Sequence, residues 1–343
     1  MAGELKVAGV GAGYFSQFHY ESWARMPGAR LVGICDLDRN RAEAQAAGTG
    51  ARAWDDLTGM LAAARPDLLD VILPPPAQAG VIRAALQAGV RAIICQKPFC
   101  SSPEEAEAMT QAAEESGTAL IIHENFRFQP WYRVMAKALT EGRIGAVQQA
   151  VFRLRPGDGQ GAGAYLDRQP YFQRMERFLV RETAVHWVDT FRFLFGDPVA
   201  VYADLRRLNP VIAGEDAGVI LFDHPGGVRA MFDGNRHLDH AAENLRCTMG
   251  EALVEGTGGA LRLRGDGAVF LRRFGERDEQ TLLDPDRSGR FGGDCVHALQ
   301  AHVVLGLEGS APLENTARDY LAVVRMETAI YRSAAEGRKL TLG

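Results

Sequence analysis

Three side chains of this sequence, Lys97, Glu182 and His186, carry the groups needed to take a proton from a hydroxyl and to hold the charge that then develops on its oxygen. Lys97 stands in Cys95-Gln96-Lys97-Pro98, at the end of the apolar run 92–95. A strand there puts the ammonium group at the carboxyl edge of a sheet, where doubly wound folds bind ligands. Pro98 biases Lys97 away from helical backbone, and a cis Lys97–Pro98 bond would fix the direction of the side chain. In Arg181-Glu182-Thr183-Ala184-Val185-His186 the carboxylate and the imidazole are four residues apart, so a helix puts them on one face. Glu182 then orients or charge-balances His186. A core histidine beside Val185, Trp187 and Val188 is the competing reading of the same helix.

A second set of residues suits a nucleotide. The run 6–10 leads into Gly11-Ala12-Gly13-Tyr14-Phe15-Ser16, a G-x-G-x-x-S pattern. Gly11 allows the tight turn, Gly13 lets backbone N–H groups approach a pyrophosphate, and Ser16 is small enough for helix–strand packing. The pyrophosphate would sit at the positive end of the next helix. Asp36 follows Ser16 by twenty residues and can accept from both hydroxyls of an adenosine ribose. Leu37 offers nothing to a 2′-phosphate and the Asp36 carboxylate repels one, so NAD is expected in preference to NADP. The run Asp36-Leu37-Asp38-Arg39-Asn40 also suits a turn or a helix N-cap. The segment 125–132, Asn-Phe-Arg-Phe-Gln-Pro-Trp-Tyr, brings amide, guanidinium and aromatic groups toward the nicotinamide end, and the polar-aromatic loop 163–172 suits the cover of a polyhydroxylated ligand or a domain interface. Arg153 and Arg155 share a strand face and offer donors to such a ligand. His297/His302 and His237/His240 lack metal spacing with a third ligand, and no metal is expected.

The elements that must position these groups change character along the chain. Residues 1–125 alternate short apolar runs (5–10, 31–35, 68–73, 92–95, 119–122) with helical stretches, the pattern of βαβ units and a parallel sheet. The entry Ser101-Ser102-Pro103-Glu104-Glu105 has the marks of a helix start. Beyond Gly142-Arg143-Ile144-Gly145 the runs alternate apolar and polar residues between Gly-rich turns, which predicts a mostly antiparallel sheet. One helix interrupts it around 183–195, stopping at Gly196, and two close the chain at 294–307 and 317–335. The expected class is α/β: a Rossmann domain over 1–125 and an α+β domain with a large open sheet over 126–343, its last helix packing back on the first domain. The 343 residues, 47 % of them hydrophobic, with a formal charge of −5 and five unpatterned cysteines, fit a reduced cytoplasmic protein of about two domains. Neither a nucleic-acid surface nor a membrane anchor is expected, and residues 1–4 show no basic leader.

Several motifs in order resemble the Gfo/Idh/MocA oxidoreductases: 10–19 (Val-Gly-Ala-Gly-Tyr-Phe-Ser-Gln-Phe-His), 31–36 ending in Asp36, Lys97-Pro98 with Ser102-Pro103-Glu104-Glu105-Ala106, Asn125-Phe126-Arg127, and Glu141 to Gly145. The resemblance implies an NAD(P)-dependent dehydrogenase or reductase of sugars and polyols, with Lys97 as the catalytic lysine. Glu182 and His186 then stand for the family's Asp-x-x-x-His pair, Glu replacing Asp and His186 accepting the proton. Gln96, Leu73 and Gln78 depart from the Glu, Thr and His usual there. The implied cofactor contacts are Gly11, Gly13, Tyr14, Phe15, Ser16, Asp36, Leu73, Pro74, Gln78, Gln96, Lys97, Asn125 and Arg127. The implied substrate contacts are Lys97, Arg127, Trp131, Arg153, Tyr165, Arg168, Glu182 and His186. The strings 95–99, 124–132 and 168–172 are similar to a D-apiose-oxidising subgroup, which implies oxidation of a cyclic aldose at its anomeric hydroxyl to a lactone. A redox-neutral epimerase or glycosidase-type enzyme, or an NAD-sensing regulator, would use the same scaffold. An open sheet with an apolar face needs covering, and the family resemblance implies a homodimer or homotetramer.

Overall fold

The structure is a computed structural model that describes residues 4–342, and the chain divides into two compact units. The first comprises residues 1–125 and 296–324, the second 126–295 and 325–343.

In the first unit six strands form a parallel sheet: β1 (Leu5–Val10), β2 (Ala29–Cys35), β3 (Arg52–Trp54), β4 (Leu68–Val71), β5 (Ala92–Gln96) and β6 (Ala119–His123), in the order β3-β2-β1-β4-β5-β6. Helices α1 (Ser16–Ala24), α2 (Arg39–Ala46), α3 (Leu57–Ala64), α4 (Pro75–Gln87) and α5 (Pro103–Ser116) connect them. The order reverses between β1 and β4, the switch point at which such sheets take their ligands. Side chains cap three of the helices. Asp38 accepts from the N–H of Asn40, Asp56 from those of Thr58 and Gly59, and Ser102 from that of Glu105. Val71, Ile93, Ile94 and Cys95 are wholly buried, as a sheet covered on both faces requires. The sequence showed no apolar run for β3, because it is only three residues long, with Arg52 exposed, Ala53 and Trp54 half-buried, and the Arg52 guanidinium 3.9 Å above the Trp54 ring.

The second unit is built on a nine-stranded sheet. Its strands are β7 (Val147–Leu154), β8 (Ala200–Arg206), β9 (Ala217–Asp223), β10 (Arg229–Asn235), β11 (Gly250–Gly256), β12 (Gly259–Leu263), β13 (Val269–Arg273), β14 (Glu279–Leu283) and β15 (Leu340–Thr341). They lie in the order β14-β13-β12-β11-β7-β10-β9-β8-β15, antiparallel except for the β7–β10 pair. Helices α6 (Pro130–Thr140) and α7 (Val185–Phe195) belong to this unit. Two further helices, α8 (Cys295–Leu307) and α9 (Ala317–Glu336), close the chain. Alternation gives the sheet two unlike faces. On one, Phe152, Phe232 and Ile220 are buried in register, and α7 lays Trp187 on them, its ring 4.1 Å from that of Phe152. On the other, Val151, Met231, Leu221 and Tyr202 form a half-buried row.

Candidate active site

The end of β1 in the first unit has the geometry of a dinucleotide turn. Gly11 has φ +105°, and a Cβ there would stand 2.3 Å from the carbonyl oxygen of Ile72, so only glycine fits. A Cβ at Gly13 would meet no atom within 4 Å, and this residue is exposed. The turn thus leaves a backbone cradle open to solvent where α1 begins. Ser16, the first residue of α1, donates its hydroxyl to the Gly13 carbonyl at 2.7 Å. Tyr14 is exposed and Phe15 half-buried beside it. Asp36 stands at the end of β2, its Oδ2 accepting the Ala12 N–H at 2.7 Å and its Oδ1 the Asp38 N–H at 2.9 Å. Each carboxylate oxygen retains a second lone pair for a ribose hydroxyl. The open cradle, the helix start and this oriented carboxylate fit a dinucleotide.

Lys97 follows β5, and its bond to Pro98 is cis. Two glutamines hold this turn. The Gln78 side chain is wholly buried on α4; its amide N–H groups donate to the carbonyls of Leu73, Gln96 and Pro98, and its Oε1 accepts from Cys100. Every polar atom of Gln78 is thus engaged with backbone. The Gln96 Oε1 accepts the Lys97 N–H at 2.8 Å, while its Nε2 lies 3.2 Å from Nε2 of His19. Leu73 and Pro74 lead from β4 into α4, and Asn125, buried, ends the first of the two segments that make up this unit.

In the second unit Glu182 and His186 lie on a continuous wound segment, but its first six residues, Leu179–Ala184, form a π-helix ahead of α7. The wider winding changes the spacing that an α-helix would give residues four apart, and such turns recur at functional sites. Buried Glu215 starts this turn, accepting the N–H groups of Phe178 and Val180 and the hydroxyl of Tyr331. The His186 ring is 7 % exposed and stacks on Phe126 with centroids 3.8 Å apart and an angle of 4°. Arg127 makes a two-pronged pair with buried Asp189, at 2.7 and 2.5 Å.

The other substrate candidates are held by partners of their own. Trp131 is a core residue with no exposure, its indole donating to Gln129. Arg153 projects from the opposite face of the sheet to Trp187 and α7, 3.8 Å from Asp233. Tyr165, at φ +69°, is buried with Phe172, Phe178 and Ile212, and Arg168 pairs with Asp158 at 2.5 Å. Tyr165 and Arg168 both bond to Asp158 and so help to build the loop. Its central tie escaped the sequence reading: buried Arg236 donates to both oxygens of Asp158, to the Tyr165 hydroxyl and to Thr183 of the π-turn. Asp158 and Arg236 are 78 residues apart, and no local pattern marks the pair.

A Rossmann unit with a dinucleotide turn, joined in one chain to an open-sheet unit bearing a carboxylate and an imidazole, defines the class of nucleotide-dependent oxidoreductases. Residues 5–124 match the model of an oxidoreductase family with an NAD-binding Rossmann fold, and residues 132–262 match the GFO/IDH/MocA C-terminal domain. The chain belongs to the GFO/IDH/MocA family of oxidoreductases. It is 35 % identical to a D-apiose dehydrogenase of Paraburkholderia graminis over 98 % of this chain and 90 % of that one. It is 29 % identical to a D-apiose dehydrogenase of Rhizobium rhizogenes, covering 99 % and 98 %. An oxidoreductase from Agrobacterium radiobacter, solved with NAD+, L-tartaric acid and magnesium, superposes with a TM-score of 0.89 at 28 % identity, over 98 % of each chain.

Proposed function

We propose that this protein is an NAD-dependent sugar dehydrogenase and that its substrate is D-apiose or a closely related aldose, oxidised at the anomeric hydroxyl to a lactone. The near full-length likeness to D-apiose dehydrogenases, in a chain that carries Lys97, Glu182 and His186, supports this reading. The turn 11–16 and Asp36 would hold the dinucleotide, with Tyr14 and Phe15 beside it and Leu73, Pro74, Asn125 and Arg127 toward its nicotinamide end. NAD, when bound, supplies the hydride acceptor. His186 takes the hydroxyl proton, its ring plane fixed by the stack on Phe126. Lys97 stabilises the developing oxyanion, a role for which a fixed cation in a water-poor site is suited. Glu182 orients His186. These roles rest on residue type and family position, and the family likeness does not favour a redox-neutral or regulatory use of the scaffold.

The half-buried row on the sheet of the second unit supports a homo-oligomer, a dimer or tetramer, in which a second copy covers that face. Among the described residues no helix is long and apolar enough to cross a membrane, and a cytoplasmic location is proposed with it. Purified protein mixed with NAD or NADP and a panel of aldoses and polyols tests the reaction. NADH formation on D-apiose, lost in Lys97→Ala, supports it. NADH formation on no sugar, with NAD retained on the protein, would overturn it in favour of a redox-neutral enzyme.

A further inference from the structure

The group next to Lys97 connects to a buried polar chain inside the first unit. Asp70, on β4, has no solvent exposure, and its Oδ2 lies 2.8 Å from Nδ1 of His19, 2.7 Å from the indole nitrogen of Trp23 and 3.2 Å from the amide of Gln300. His19, on α1, is equally buried and packs against the His123 ring at 4.1 Å. Its other ring nitrogen faces the Gln96 amide, whose far end meets the Lys97 N–H.

Donor and acceptor rules orient this chain. The Lys97 N–H is a donor, so the Gln96 atom facing it is the carbonyl oxygen. The Gln96 NH2 therefore points at His19, which must present a lone pair at Nε2. The His19 proton then sits on Nδ1 and is donated to Asp70, an oxygen already accepting from the donor-only indole of Trp23. Reversing the amide would set two donors against each other at Lys97.

We propose that Gln96 is a positioning residue for Lys97. Its amide links the Asp70–His19 pair to the Lys97 main chain and fixes the direction in which β5 delivers the lysine, in place of a contact to cofactor. The proposal rests on the reading that Lys97 takes part in the reaction. An isosteric carboxylate at position 96 keeps the Lys97 contact but gives His19 an acceptor where it now receives a donor. Gln96→Glu thus requires a proton between the carboxyl group and Nε2 of His19, which the more basic imidazole should hold, whereas Gln96→Leu severs both contacts.

The test compares Gln96→Leu, Gln96→Glu, Lys97→Ala and the double variant Gln96→Leu/Lys97→Ala, using NAD and the aldose that supports turnover. Gln96→Leu should lower kcat by about 10- to 100-fold, the scale of a small misplacement of a reacting group, with the KM for NAD little changed. The double variant should be no slower than Lys97→Ala. A raised KM for NAD with kcat intact would show a direct cofactor contact and overturn the proposal, as would the full Gln96→Leu loss persisting without Lys97. Nitrogen-15 NMR of the His19 ring is independent of turnover. Nε2 should carry no proton in the native protein and should gain one in Gln96→Glu; a protonated Nε2 in the native protein contradicts the link. Near-native turnover of Lys97→Ala would instead overturn the role of Lys97, and the NMR result would still decide the Asp70–His19–Gln96 connection.

Discussion

Gly11 and Gly13 are two residues apart, yet their substitution should separate folding from binding. Gly11→Ala forces a side chain into positive φ and against the Ile72 carbonyl, so it should destabilise the protein by about 1 to 3 kcal/mol in a thermal or urea melt. Gly13→Val places its side chain in the open cradle, so the melting temperature should hold while the Kd for NAD, read by fluorescence titration, rises. Asp36→Ala removes acceptors that a carboxylate offers to hydroxyls, each about 1.5 to 3 kcal/mol. NAD should then bind more than tenfold more weakly and the preference over NADP should shrink, as parallel titrations would show. This turn was legible because its signal is local. The engagement of Gln78 with the backbone of residues 73, 96, 98 and 100 was not, because side-chain amides are read as ligand groups until their partners are known.

The π-turn and the loop before it depend on one another at the level of elements. Arg236 joins Asp158, Tyr165 and Thr183, so it ties the loop around Tyr165 to the segment that carries Glu182. Arg236→Leu leaves Asp158 with only Arg168 and the Tyr165 hydroxyl. The loss expected for breaking such a buried pair is about 3 to 5 kcal/mol, with early proteolysis in 156–178 as its local sign. Burial opposes ionisation of Asp158, but the guanidinium groups of Arg236 and Arg168 outweigh it and hold the carboxyl below its ordinary value. An acid depressed on folding contributes stability above its unfolded pKa of about 3.9 and loses it as pH falls through the lower folded value. Resistance of this loop to an acid-active protease should therefore be steady above about pH 4 and decline below it, and Asp158→Asn should flatten that decline. Helical spacing around His186 was visible in the sequence. The π-winding ahead of it was not, and Glu215, whose carboxylate accepts the first N–H groups of that segment, stands more than thirty residues further along the chain.

At the scale of the whole molecule, both sheets were legible because their hydrophobic periods differ: continuous runs for the parallel sheet, alternation for the antiparallel one. The alternation also exposed the unequal faces of the second sheet. If a second copy covers the row of Val151, Met231, Leu221 and Tyr202, then Met231→Arg should convert the assembly to monomers, measured as mass by light scattering. A monomeric native protein would remove that proposal. Strands β11 and β14 escaped the sequence reading, because Gly250 and Gly256 bound the one and three polar residues open the other. Oxidation of an aldose by NAD is tested most directly with D-apiose carrying deuterium on its anomeric carbon. The NADH formed should contain that deuterium and the sugar product should be the lactone. Unlabelled NADH, or a changed sugar with no NADH formed, would contradict the assignment.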